Sequence, residues 1–147
     1  MKCVIQRVSQ ASLDADGIAH AAIGPGLVVL AAVVEGDTDR DRDWTADKIA
    51  HLRVFEDDAG KMNRSVVEAG GGVLLVPNFT VAGDTRKGRR PSFDAAMRPP
   101  EAAAAFEALA DALRTRGVPV STGVFGAHMH VCLVNDGPVT LVLDSQA

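Results

Sequence analysis

The sequence predicts an α+β fold: a single domain, 1–147, with a curved, partly barrel-like, mostly antiparallel β-sheet and two main α-helices. Three observations carry this expectation. Short β-rich or alternating runs recur along the chain. Two segments have helical character, one after Thr38 and one between Pro100 and Gly117. The chain has 147 residues, 47% hydrophobic and 23% charged, which suits one domain with its own core and excludes intrinsic disorder.

The elements follow in order. Lys2 to Val8 is β-rich. Ala11 to Asp14, a turn at Asp16-Gly17 and Ile18 to Ile23 read as a hairpin. Gly24-Pro25-Gly26 breaks the chain, and Leu27 to Val34 is an apolar run that reads as a buried central strand. A helix follows over about 38–52. Thr38 caps it, Asp39 and Asp41 sit at its positive end, and Trp44, Ile49 and Leu52 supply its apolar face.

Arg53 to Glu56 reads as a short strand and Asp57-Asp58-Ala59-Gly60 as a turn. Val73 to Val76 is a buried strand entered through Gly70-Gly71-Gly72. Pro99 and Pro100 mark the second helix, in which Phe106, Leu109, Ala110 and Leu113 recur at i, i+3, i+4 and i+7. Gly117 ends it. Val124 to Val134 alternates, with Phe125, Ala127, Met129, Val131 and Leu133 on one face. Asp136-Gly137-Pro138 interrupts, and Val139 to Leu143 is the last strand-like run.

Composition narrows the function. Lys+Arg is 15 and Asp+Glu 19, so the net charge is −4, which argues against a general nucleic-acid coat. The charge is uneven. Pro77 to Pro100 holds Arg86, Lys87, Arg89, Arg90 and Arg98 against Asp84 and Asp94, a net of +3, which leaves −7 elsewhere. Aromatics are 4%, which argues against the usual base-stacking platform. Two cysteines, Cys3 and Cys132, make no disulfide framework and suit a cytosolic protein. The N-terminus has no signal-peptide pattern, and no apolar run is long enough to span a membrane.

Candidate sites compete with plainer readings. His128 and His130 could ligate a metal, but no third ligand is evident and ordinary strand histidines are the better reading. Gly83 to Gly88 resembles the start of a phosphate loop, but Arg89-Arg90 stands where Lys-Ser or Lys-Thr is required. Arg86, Lys87, Arg89 and Arg90 suit contact with a phosphate backbone. Cys132, within a strand, reads as core rather than nucleophile. Glu56-Asp57-Asp58 reads as a solvated turn. Val76-Pro77-Asn78-Phe79-Thr80 reads as strand-end punctuation or as a run of N–H groups facing a ligand. Asn135-Asp136-Gly137-Pro138-Val139-Thr140 reads as an ordinary turn.

Six segments together resemble a known family. They are MKCVIQRV at 1–8, KIAHLRVF at 48–55, GKMNRS at 60–65, FTVAGDTRKGRRPSF at 79–93, GVFGAHMHV at 123–131 and NDGPVT at 135–140. Their order over the whole chain is similar to that of the D-aminoacyl-tRNA deacylases. The resemblance implies a cytoplasmic homodimer that binds aminoacyl-tRNA and hydrolyses the ester joining a D-amino acid, or mischarged glycine, to the terminal adenosine. It implies that Thr80, with Phe79 and Asn78, forms the catalytic floor. It also implies that a cis Gly137-Pro138 turn enters the partner subunit's pocket and excludes L-amino acids. Arg86, Lys87, Arg89 and Arg90 would then meet tRNA. It implies no metal or organic cofactor.

One departure bears on selectivity. Pro77-Asn78 stands where the family usually has Ser-Gln. Two alternatives therefore accompany the leading reading: a deacylase of relaxed chirality that clears L-alanyl or glycyl mischarges, and a non-catalytic module for the tRNA 3′ end.

Overall fold

A computed structural model describes residues 1–147. Strand β1, Lys2–Ala15, pairs with three other strands of the sheet and runs unbroken through the two strands expected at 2–8 and 11–14. It turns at Asp16-Gly17, both at positive φ, into β2, Ile18–Ile23, as the hairpin pattern predicts. Strand β3, Gly26–Ala32, lies antiparallel to β1 and parallel to β6, Gly72–Pro77. Strand β7, Val120–Thr122, extends the parallel part. Strand β8, Met129–Asp144, pairs antiparallel with nearly the whole of β1. The sheet is thus antiparallel around β1 and parallel from β3 to β7, and β2 curls back over β6 and β7 towards closure as a barrel.

Each parallel step needs a crossover, and the helices supply them. Helix α1, Asp39–His51, and helix α2, Glu101–Thr115, pack on each other and on one face of the sheet. Asp41 accepts from both the Thr38 N–H and the Thr38 hydroxyl, which fastens the start of α1. A small antiparallel pair, β4 (Phe55–Glu56) with β5 (Met62–Arg64), lies in the first crossover.

Two apolar layers result. Cys3, Ile5, Leu27, Val29, Val73 and Leu75 meet α1 and α2, while Val8, Leu13, Val28, Leu74 and Val76 fill the inside of the curl. Strand β3 is covered on both faces, which is why it reads as a continuous apolar run. In β1 the inward set changes from odd to even and back to odd positions around irregularities between Gln6 and Gln10. A bulge shifts alternation in this way and lets one long strand serve both layers.

Several expectations are corrected. Residues 124–127 form a turn rather than strand, so Phe125 and Ala127 do not continue the face of Met129, Val131 and Leu133. The strand expected at 53–56 is only Phe55–Glu56. Cys132 is exposed, because it points away from the layer that receives Val131 and Leu133. Trp44 is also exposed. Thr45, Ala46, Ile49 and Ala50 form the inner face of α1, and the Lys48 ammonium lies 5.7 Å from the Trp44 ring centre. No helix is long and apolar enough to cross a membrane.

Candidate active site

Strands β3 and β6 end side by side, with Ala31 opposite Pro77. Pro77 brings no N–H to the sheet, and the chain turns away from it into a single 3-10 turn, Phe79–Ala82. Asn78 anchors the turn twice. Its N–H donates to the Ala31 carbonyl at 2.8 Å. Its side-chain Oδ1 accepts from the Thr80 N–H at 3.2 Å and from the Thr80 hydroxyl at 2.5 Å. The N–H groups of Asn78 and Thr80 are therefore occupied, and the Val81 N–H bonds back to the Asn78 carbonyl. The Phe79 N–H makes none of the turn, loop or side-chain hydrogen bonds that occupy its neighbours. This sharpens the sequence reading of 78–80 as a row of donors to one position.

Thr80 has no base beside it. Its hydroxyl donates to an amide oxygen, which cannot take up a proton. A hydroxyl so held has no proton acceptor to activate it for attack. Gly83 closes the turn by donating to the Thr80 carbonyl at 2.9 Å. A Cβ at Gly83 would stand 2.9 Å from that oxygen and 2.9 Å from the Phe93 ring, so this backbone approach requires glycine.

Three hollows meet at Phe79, which is 57% exposed. A narrow one of about 80 Å³ runs past Val33 and Asn78 to Ala102 and Phe106. An apolar one of about 520 Å³ lies over Leu30, Val76, Met129 and Val131. A third, of about 790 Å³, opens between Phe93, Phe125, Arg90 and Arg98.

The basic segment springs from the same turn. Asp84 and Ser92 exchange backbone hydrogen bonds of 2.8 and 2.9 Å and close a loop between them. Within it, Arg86 grips Asp84 through Nε at 2.9 Å and Nη2 at 2.7 Å. The guanidinium and the Arg86 N–H pull the Asp84 carboxyl down to about 2. Lys87, Arg89 and Arg90 are exposed and in no ion pair. Of the four expected phosphate contacts, three are free and one already has its counter-charge. Gly83 to Gly88 forms no strand-to-helix loop, so the phosphate-loop likeness ends with the sequence.

Gly137-Pro138 is cis and exposed. Asn135 pairs with Val8 and Thr140 with Gln6, so residues 136–139 stand out of β8 opposite Arg7. Arg7 is buried and holds this excursion. Its Nε donates to the Asp136 carbonyl at 2.9 Å and its Nη1 to the Val54 carbonyl at 2.6 Å. Asn135 braces the other side, donating to the Val139 carbonyl at 3.0 Å and accepting from its N–H at 3.2 Å. The sequence reading gave neither Arg7 nor Asn135 a role of its own; a lone arginine in a strand carries no local signal of its partner.

The two halves of the expected site lie apart in one chain. The floor sits level with Cys3 on β1 and the Gly-Pro turn level with Arg7. Four residues separate those levels, about 13 Å along the strand, and β8 and β6 are three strand spacings apart.

His128 and His130 are exposed, with ring centres 4.9 Å apart, and no group of three or more His, Cys, Asp or Glu side chains gathers anywhere. Asp57 accepts from the N–H groups of Ala59 and Lys61 and from Asn63, which makes 57–60 a solvated turn.

This class of small mixed barrel is known. A solved structure titled c-Myc DNA Unwinding Element Binding Protein superposes with a TM-score of 0.94, is 38% identical and covers 100% of both chains. A second, titled as a probable eukaryotic D-amino acid tRNA deacylase, shares the fold at a TM-score of 0.83, 20% identity and 97% of each chain. The chain belongs to the D-Tyr-tRNA(Tyr) deacylase family, whose model matches residues 4–144. Relatives named D-aminoacyl-tRNA deacylase include one from Geobacter sulfurreducens, 54% identical over 100% of this chain and 97% of that protein. Another, from Thermus aquaticus, is 55% identical over 99% of this chain and 95% of its own.

Proposed function

We propose that the protein is a D-aminoacyl-tRNA deacylase of the cytoplasm, acting on D-amino acids and on glycine esterified to tRNA. The observation that carries this reading is the floor: Phe79 N–H stands among donors that are all occupied, beside a hydroxyl with no base. Ester hydrolysis builds negative charge on the carbonyl oxygen, and a fixed N–H aimed at it is the needed complement. Water adds to the carbonyl carbon, the bond to the ribose 3′ oxygen breaks, and the proton passes to that oxygen. With no side-chain base at Thr80, the neighbouring ribose 2′-hydroxyl is the group that orients the water.

Selection belongs to Gly137-Pro138, supplied by a second copy of the chain. The separation of turn and floor supports a homodimer, because neither copy alone unites them. Carbonyl oxygens of a turn braced by Arg7 and Asn135 accept the substrate ammonium. The same wall leaves no space for the Cβ of an L-residue. Glycine has no Cβ and passes.

A second reading attaches to Asn78. Its short side chain folds back onto Thr80, so a pocket built around a longer Gln is not reproduced here. Relaxed chirality is the consequence if that space admits an L-alanyl group. Parallel incubation with D-tyrosyl-, glycyl- and L-alanyl-tRNA decides. Cleavage of the first two supports the leading reading, cleavage of L-alanyl-tRNA alone replaces it, and binding without cleavage of any leaves a tRNA-end binding module.

A further inference from the structure

We propose that the cleft between Phe93 and Phe125 binds the nucleotide immediately 5′ of the terminal adenosine, with the linking phosphate on Arg98 and Arg90 and the base of that nucleotide on the phenylalanines. This rests on the deacylase reading for the placement of the ester at the Phe79 floor. Three features of the chain carry it.

The first is continuity. The cleft shares Phe79, Met97, Phe125 and Gly126 with the narrow pocket at the floor, so a chain anchored there by its ester can run straight into it. Its volume of about 790 Å³ is in the range that holds a ligand of nucleotide size.

The second is charge. Arg90 and Arg98 are exposed and in no ion pair. Asp94 is the only carboxylate in the lining, and its Oδ2 already accepts from the Ser92 hydroxyl at 2.7 Å. The cleft is therefore cationic. The first charge met on leaving the terminal adenosine is its 5′ phosphate, an anion that needs such a partner.

The third is aromatic surface. The chain has five phenylalanines, and three of them, Phe79, Phe93 and Phe125, line this one cleft. All three are exposed, and Phe79 and Phe93 meet edge to face at 5.1 Å. A single-stranded end offers unpaired bases, and every base has a face that stacks on such rings regardless of its identity. The low aromatic content argued against a stacking platform, but composition does not register where the rings gather.

The test is a binding series on the full-length protein with adenosine, adenosine 5′-monophosphate and the dinucleotide CpA, measured by calorimetry. In the wild type each added part should tighten binding, the base step by about tenfold. Arg98→Gln should remove most of the gain from adenosine to the monophosphate. Phe93→Leu keeps apolar bulk against Phe79 and should remove most of the gain from the monophosphate to CpA. CpA binding no tighter than the monophosphate, or both gains surviving in both variants, overturns the proposal.

Hydrolysis of D-tyrosyl-adenosine and of the D-tyrosyl ester of CpA separates this idea from the deacylase reading. Cleavage of both esters at equal kcat/KM, without a CpA advantage, overturns the cleft alone. Variant-sensitive CpA binding with no cleavage of either ester supports the cleft and overturns the deacylase reading.

Discussion

The Arg7 guanidinium donates to the Asp136 carbonyl at 2.9 Å, one residue before the cis Gly137-Pro138 bond, and thereby ties an exposed turn to a buried charge. Its second hydrogen bond, to the Val54 carbonyl, ties that turn to the segment following α1.

Arg7→Ala leaves the Val54 carbonyl without its partner and unfastens the turn. The expected loss of stability is about 2 kcal/mol, read from the urea midpoint. Turnover of D-tyrosyl-tRNA should fall further than stability explains, at concentrations where the variant is fully folded. Wild-type turnover in the folded variant would show that the turn needs no brace.

Thr80→Ala removes the hydroxyl held by Asn78 and should lower kcat by about 10- to 100-fold, the cost of a misplaced reacting group. Because Thr80 is exposed, thermal stability should hardly change. A variant that keeps normal kcat would remove Thr80 from the site.

Lys87, Arg89 and Arg90 changed together to Gln should make the salt dependence of tRNA binding shallower by about 2 to 3 in log–log slope, since each phosphate contact contributes about 0.9 on a duplex. Arg86→Gln alone should change that slope little, because Arg86 is already paired with Asp84. Equal effects of Arg86 and Arg89 would contradict the pairing.

Gly26→Ala places a Cβ 1.9 Å from the Gly72 carbonyl oxygen, where β3 first meets β6. The strands must part, with an expected loss of about 3 kcal/mol in chemical unfolding. An unchanged unfolding midpoint would mean that the two strands begin to pair later than Gly26.

Burial pushes the Cys3 thiol up to about 12, whereas Cys132 is exposed. Iodoacetamide should therefore label one thiol in the native protein and two in denaturant. A raised folded-state pKa stabilises the protein below the ordinary thiol range. That contribution is lost as pH climbs from there towards 12. Cys3→Ala should flatten this alkaline decline, as followed by urea midpoints at increasing pH.

The helices and the central strand were legible because their signals are local. The period of Phe106, Leu109, Ala110 and Leu113 is a helical stripe wherever the helix docks, and all four are buried. The Leu27 to Val34 run is apolar because both its faces are covered. The Asp16-Gly17 turn needs only two residues that tolerate positive φ. Strand β7, three residues long, and the 3-10 turn at Phe79 have no period to read. For β8, Gly137-Pro138 suggested an interruption, and the pairing with β1 simply resumes beyond it.

By itself the sequence determined the α+β class, the two helices, the family motifs and the position of the basic stretch, because propensity, periodicity and local charge lie within a few neighbouring residues. The tertiary structure decided the rest. It decided that Phe79, between two occupied donors, carries the remaining N–H, that Asp84 claims one of the four cations, and that three phenylalanines line one cleft. It also decided that Arg7 braces a turn more than 120 positions away in the chain. Each of these depends on which residues meet across strands and loops. Such pairings are settled by register and long-range packing, and neither leaves a trace in the residues on either side.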